Sequence, residues 1–231
     1  MENIIKIAAD PAIEAMAERT IARWGKEEWR AVILTNEIHG HIGIYSTIGA
    51  KMGIYALEFI SRCCNKMENL KILSFAGSRP PVSCFNDGLQ ISTGATLGHG
   101  SIKIAKSCSL SKGCKECADC EELIECAESR ECAESKECAD ARVEAIFRFK
   151  AICGTEAKEM QLRVWLKEEL RQQIAGDIAN AVKQYGHTPD YWLQVRRLAL
   201  DYWQQWNRAE IFEAEAQRGQ RTAKLRRKYN Y

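Results

Sequence analysis

Histidine is scarce in this 231-residue chain, which carries four of them and only four prolines. Any imidazole chemistry must come from very few positions. The chain also lacks a charge bias: 33 Lys and Arg against 31 Asp and Glu leave a net charge of +2, with no global pull toward nucleic acid or membrane. A membrane-spanning run is missing too, because the longest apolar stretch, Ile42 to Ile60, is broken by Lys51 and Glu58. The opening MENIIKIAADPAIEAMAERT carries acidic residues and no basic segment leading into an apolar one, so it does not read as a secretory signal. Cysteine, by contrast, is abundant. An odd count of eleven without a signal favours reduced thiols in a cytoplasmic protein over a disulfide framework. A hydrophobic content of 46% supports a sizeable core.

Apolar residues recur at helical spacing from Asp10 to Trp24, with Pro11 just inside the start. WRAVILTNE (29–37) reads as a short buried strand or an approach to a site. Gly43 to Arg62 is apolar around the whole wheel, as a buried helix is. Within it Gly49 and Gly53 leave one face bare, open to close approach by another backbone. LKILSFAGS (70–78) and GSIKI (100–104) read as strands. ARVEAIFRFKAI (141–152) and EMQLRVWLK (159–167) alternate apolar and polar residues, apart from Ile146 and Trp165, and predict an antiparallel pair around Cys153-Gly154-Thr155. A helix follows from about Glu168 to Val182. Thr188-Pro189-Asp190 opens another, rich in aromatics, ahead of a basic segment from Arg218 to Tyr231 that reads as a solvated tail. The expected class is α+β: a mixed or antiparallel sheet packed against helices. The core is expected over 1–183 and a helical extension over 184–231.

Between two of the core strands, Cys108, Cys114, Cys120, Cys126, Cys132 and Cys138 fall at a six-residue period in a near-perfect repeat. Six residues on a helix turn a side chain by about 240°, which spreads the thiols over three faces. Only Cys114, Cys117 and Cys120 have metal-like spacing, and no fourth ligand is evident. The segment at about 106–140 therefore reads as a Cys-rich helical insertion.

Two stretches concentrate the chemistry. In EIHGHIGIYSTIGAKMG (37–53), His39 and His41 can converge on one ligand only if the backbone between them is extended or turning, since i and i+2 lie about 200° apart on a helix. In PPVSCFNDGLQISTGATLGHGS (80–101), glycines free the backbone to turn while Cys84, Asn86, Asp87, Gln90, Thr93, Thr96 and His99 supply polar atoms. The second stretch is neither a Walker loop nor a dinucleotide fingerprint.

Together these two stretches resemble the core of the FmdE family, named for its place beside formylmethanofuran dehydrogenase. Its pattern is a His-Gly-His segment leading into a glycine-spaced helix, then Cys-x-x-Asp-x-x-Gln and Thr-Gly-Cys-Thr-x-Gly-x-Gly. The resemblance runs from about Glu28 to Val182 and implies an α+β core, often a homodimer. Two thiols of the pattern are absent: Gly43-Ile44-Tyr45 stands where it has Cys-Pro-Gly, and Ala95 where it has cysteine.

What remains is a two-imidazole site with one thiolate or carboxylate, a donor set suited to zinc, iron or nickel. His39, His41 and Cys84 are expected to hold a divalent metal, zinc foremost, and Asp87 could complete the set. Asn86, Gln90, Thr93, Gly94 and Thr96 are expected to bind an anionic or carbonyl group of a small molecule. His99, with Asp87, is expected to serve as general acid or base. The expected function is a metal- or ligand-binding enzyme or accessory in one-carbon or related metabolism. The alternative is a non-catalytic assembly protein that docks a partner or its own copy through the C-terminal extension. Nucleic-acid binding through the basic tail lacks a reader motif.

Overall fold

The computed structural model describes residues 7–105, 141–186 and 188–218. The six-residue cysteine repeat and most of the basic tail lie outside them. Three helices open the chain: α1 (Pro11–Trp24), α2 (Lys26–His39) and α3 (Ile44–Cys63). Then come β1 (Lys66–Ser74), a short 3-10 turn (Val82–Cys84), α4 (Phe85–Thr93), β2 (Ile102–Ile104) and the hairpin β3 (Glu144–Cys153) and β4 (Glu156–Leu166). The chain closes with α5 (Glu168–Tyr185), α6 (Pro189–Gln205), a single turn α7 (Arg208–Ile211) and β5 (Phe212–Arg218). No described helix is long and apolar enough to cross a membrane.

The sheet is mixed, in the order β2-β1-β3-β4-β5, with only β1 and β2 parallel. The parallel pair is joined through α4. The alternation in the hairpin works as expected: Ala145 pairs with Val164 and Phe147 with Leu162, and all four face the helices. Gly154 turns the hairpin at φ 64°, a conformation that favours glycine. Ile146 breaks the alternation because the opposite face of the sheet carries its own small cluster, Leu73, Phe75, Ala105 and Ile146.

Residues 29–37 are helical, contrary to the strand expected there. The run Val32-Ile33-Leu34-Thr35 suits a strand locally. Burial instead falls on Glu28, Ala31, Val32, Thr35 and Asn36, the spacing of one helix face. Tertiary packing overrides a weak local preference.

The bare face of α3 is filled by α4. A Cβ on Gly49 would stand 2.1 Å from Phe85 O, and one on Gly88 would stand 2.3 Å from Ser46 O. The two backbones touch because neither glycine has a side chain.

The C-terminal segment also turns inward, and its last strand, β5, was not foreseen: Phe212–Arg218 pairs with β4 at the sheet edge. Trp203 is fully buried and stacks on Trp29 at 4.9 Å, while Tyr202 stacks on Trp206 at 4.0 Å. Beneath them lies a buried ion network. Lys51 Nζ donates to Glu28 Oε1 at 2.7 Å and to the Trp206 carbonyl at 2.9 Å. Arg208 reaches Glu28 Oε2 at 2.9 Å and the Trp24 carbonyl at 2.8 Å, and its other branch holds Glu58. These charges tie residues 206–208 to α1, α2 and α3.

Candidate functional site

The turn after α2 builds the site. Gly40, at φ 87°, caps the helix in the left-handed conformation, and its N–H reaches Asn36 O at 2.8 Å. The chain then folds back, and the rings of His39 and His41 lie 4.3 Å apart, tilted by 40°. The turning backbone that the His-x-His spacing requires is thus present.

Asn36 holds that turn from below. It is fully buried; its Oδ1 accepts from Gly43 N at 3.0 Å and from Ser46 Oγ at 2.7 Å, while Nδ2 donates to Val32 O at 2.8 Å. Reading the sequence overlooked Asn36, because its signal, a polar residue on the buried face one turn before the capping glycine, exists only once 26–39 is helical. Asn36→Leu should leave Gly43 N buried without its acceptor, while Ser46 Oγ keeps only the Gly43 carbonyl at 3.1 Å. Thermal unfolding should then show a loss of about 1–3 kcal/mol, and the ring resonances of His39 and His41 should broaden as the turn loosens.

α4 approaches from the other side. Asp87, in its first turn, places Oδ2 3.3 Å from His39 Nδ1. The other ring nitrogen, Nε2, lies on the side of Gly43. A Cβ at Gly43 would stand 3.3 Å from His39 Nε2 and 2.7 Å from Ser46 Oγ, so glycine keeps the space beside Nε2 free. This is the position where the FmdE pattern carries a cysteine. Cys84 ends the 3-10 turn, and burial, followed by the Asp87 charge, pushes its pKa up, so the thiol stays protonated at neutral pH.

His39, His41, Gly43 and Cys84 share one cavity of about 290 Å³. Its remaining wall is apolar and aromatic: Tyr45 from α3, Pro80 and Pro81, Ile178 from α5, and Tyr191, Trp192 and Val195 from α6. The volume is at the small end of ligand pockets. Burial pushes the Tyr45 phenol up, partly offset by Arg171, so it serves as a neutral hydrogen-bonding group. Trp192 is 58% exposed and meets Tyr191 edge-on at 5.0 Å. In the helix expected to dock a partner, Tyr202 and Trp203 enter the core and Tyr191 and Trp192 line this cavity, while Trp192 and Leu193 stay more than half exposed.

His41 carries a pH signature. Partial desolvation of its ring, which is otherwise solvent-exposed, and secondarily the charge of His39 lower its pKa from 6.5. The unfolded chain therefore takes up this proton at a higher pH than the folded one. Folding stability should fall as pH drops through 6.5 toward the lowered value, and level off below it. His41→Gln should flatten that slope in unfolding midpoints recorded against pH.

The other expected site residues do not line the cavity. His99 is exposed, and its backbone N–H donates to Thr96 Oγ1 at 3.2 Å. Gln90 Oε1 accepts from Leu97 N at 3.1 Å, and Thr93 Oγ1 accepts from Ala95 N at 3.2 Å. Gly94, at φ 72°, caps α4, and Asn86 Nδ2 donates to Gly77 O at 2.9 Å. Thr96 N–H donates to Ser101 Oγ at 2.9 Å. Gln90, Thr93 and Thr96 pin the turn that follows α4, as a glycine-rich bend requires. Asn86 braces the loop before α4 through Nδ2, while its buried Oδ1 has no hydrogen-bond partner among the described residues.

The donor types at the cavity suit a divalent metal, and a carboxylate behind a histidine is the support that metal-bound imidazoles use. Among the described residues, however, no group of three or more His, Cys, Asp or Glu side chains is arranged to hold an ion. A larger and shallower hollow of about 620 Å³ lies toward the end of α3, lined by Trp24, Glu58 and Arg208 among others. The charges of Glu58 and Arg208 are already engaged with each other.

The family model described as FmdE, molybdenum formylmethanofuran dehydrogenase operon, matches residues 38–213. The match takes in both motifs, strands β1 to β4 and the inward-turned C-terminal helix, and ends two residues into β5. No curated protein matches the chain.

Proposed function

Because the chain belongs to the FmdE family, we propose that it binds a small molecule of one-carbon or related metabolism between the His39–His41 pair and the aromatic wall of Tyr45 and Trp192. The family's description names the operon of a molybdenum formylmethanofuran dehydrogenase, which supports a role as an enzyme or accessory beside that system. The observation that carries the reading is the single cavity joining His39, His41 and Cys84 to aromatic faces. Flat, partly apolar ligands suit such a wall. The free space beside His39 Nε2 suits a carbonyl or anionic group. His39, with Asp87 behind Nδ1, could then give or take a proton at Nε2.

Asp87 also favours a second reading, in which His39, His41 and Cys84 close on a divalent metal, zinc first, with the ligand completing its shell. Bound zinc would supply Lewis-acid chemistry. Leu34 and Ile38, exposed one turn apart on α2, support self-association as a homodimer.

Native mass spectrometry and elemental analysis of protein purified from its own cells test these readings together. The expected result is an added organic mass that falls in occupancy about 10–100-fold in His39→Ala, as for loss of a charged hydrogen-bond partner. The mass should also weaken in Trp192→Ala. Stoichiometric zinc that disappears in His39→Ala would favour the metal reading. Unchanged occupancy in both variants would refute the site.

A further inference from the structure

A second group of reactive side chains lies at the far end of α3. The helix ends at Cys63, Cys64 follows, and β3 ends at Cys153. All three thiols are free; Cys63 and Cys153 are exposed and Cys64 is half-buried. The strand ladder brings them together. Lys66 pairs with Ile152, and Asn65 N–H donates to Ile152 O at 3.0 Å, so residues 63–65 lie against 152–153. Cys153 Sγ donates to the Cys63 carbonyl at 3.5 Å, and that carbonyl belongs to the peptide unit joining Cys63 to Cys64. The Cys64 sulfur donates to Ile60 O at 3.4 Å at the end of α3, and the Cys153 thiol lies near enough to act on it as a neighbouring charge.

We propose that Cys153 and Cys64 form an oxidation-sensitive pair that peroxide joins as a disulfide, linking the end of α3 to the end of β3. The order of events follows from exposure. Burial and the adjacent sulfurs of Cys153 and Cys63 push the Cys64 pKa up, so Cys64 is the slower thiol to meet an oxidant. Exposed Cys153 reacts first: its sulfur takes one oxygen from hydrogen peroxide to give a sulfenic acid, and water leaves. The Cys64 sulfur then attacks the Cys153 sulfur, the S–OH bond breaks, and a second water leaves with the Cys64 proton. Two thiols and one peroxide become one disulfide and two waters. Cys153 Sγ already reaches the carbonyl of the peptide that leads into Cys64, so rotation of the two side chains is the movement that closes the bond.

The test uses the full chain, reduced, desalted, exposed to hydrogen peroxide, alkylated and digested without reductant. Mass spectrometry should find a peptide pair joining the Cys64 segment to the Cys153 segment. The unfolding midpoint should rise on oxidation and return with dithiothreitol. Cys153→Ser should lose both the cross-link and the rise, while Cys63→Ser should keep both. The proposal is overturned if Cys153 ends only as an over-oxidised acid, if it links to a cysteine of the 108–138 segment, or if Cys63→Ser abolishes the bond.

Discussion

Replacing Gly49 by alanine should destabilise the fold by about 3 kcal/mol or more, the range of an overpacked core with no room to relax. The added Cβ would meet Phe85 O at 2.1 Å and Phe85 C at 2.9 Å, backbone atoms that cannot swing aside. Relief requires α4 to move away from α3. Because α4 carries Asp87 and the turn before it carries Cys84, the cavity should open at the same time. Chemical denaturation reads the first effect and ligand occupancy the second. Gly94→Ala makes a useful contrast: nothing lies within 4 Å of a Cβ there, so only the strain of a left-handed residue, at φ 72°, should appear. That cost is about 1 kcal/mol.

The second large effect is expected at Glu28. It is fully buried and is the shared acceptor of Lys51 and Arg208. Glu28→Leu would strand the Lys51 ammonium, itself 1% exposed, with the Trp206 carbonyl and the face of Trp24, 4.9 Å away, as its remaining contacts. Breaking one side of a buried ion pair costs about 3–5 kcal/mol. Lys51→Met should cost less, since Glu28 keeps Arg208 and methionine fills much of the lost volume. Equal losses in the two variants would mean that Arg208 does not compensate Glu28. The network also predicts where unfolding begins: in Glu28→Leu, protection from hydrogen exchange should fall first around residues 206–211, which these charges hold down.

How far the sequence discloses this depends on which physical signal each residue carries. Gly49 and Gly53 disclose a helix–helix contact because a bare face four residues apart has a single structural use. The hairpin around Gly154 is legible because alternation with period two survives in both strands. α2 is not, because the β-branched run at Val32–Thr35 speaks locally for a strand while the burial that makes a helix is decided by α3 and α4. β5 is hidden as well: FEAEAQR alternates, but it sits between an aromatic helix and a basic run that draw attention away from it.

The site divides the same way. His39, His41, Cys84 and Asp87 could be found because each lies in a dense local motif. Tyr45, Tyr191 and Trp192 could not, because they reach the cavity only after α6 packs near α3, and no local pattern records a contact across some 150 residues of chain. His99 and its neighbours stand outside that cavity, in a glycine-rich turn that gathers polar side chains to brace itself, and in one dimension a brace and a binding loop carry the same pattern.

The account rests on two imidazoles facing one guest while the third motif histidine stands apart. Nitrogen-15 NMR of histidine-labelled protein, recorded before and after extraction of any small molecule that co-purifies with it, tests this most directly. The ring nitrogens of His39 and His41 should shift together on removal, with the His39 Nε2 signal moving most and His99 unchanged. A shift at His99, or no shift at the pair, would contradict the site.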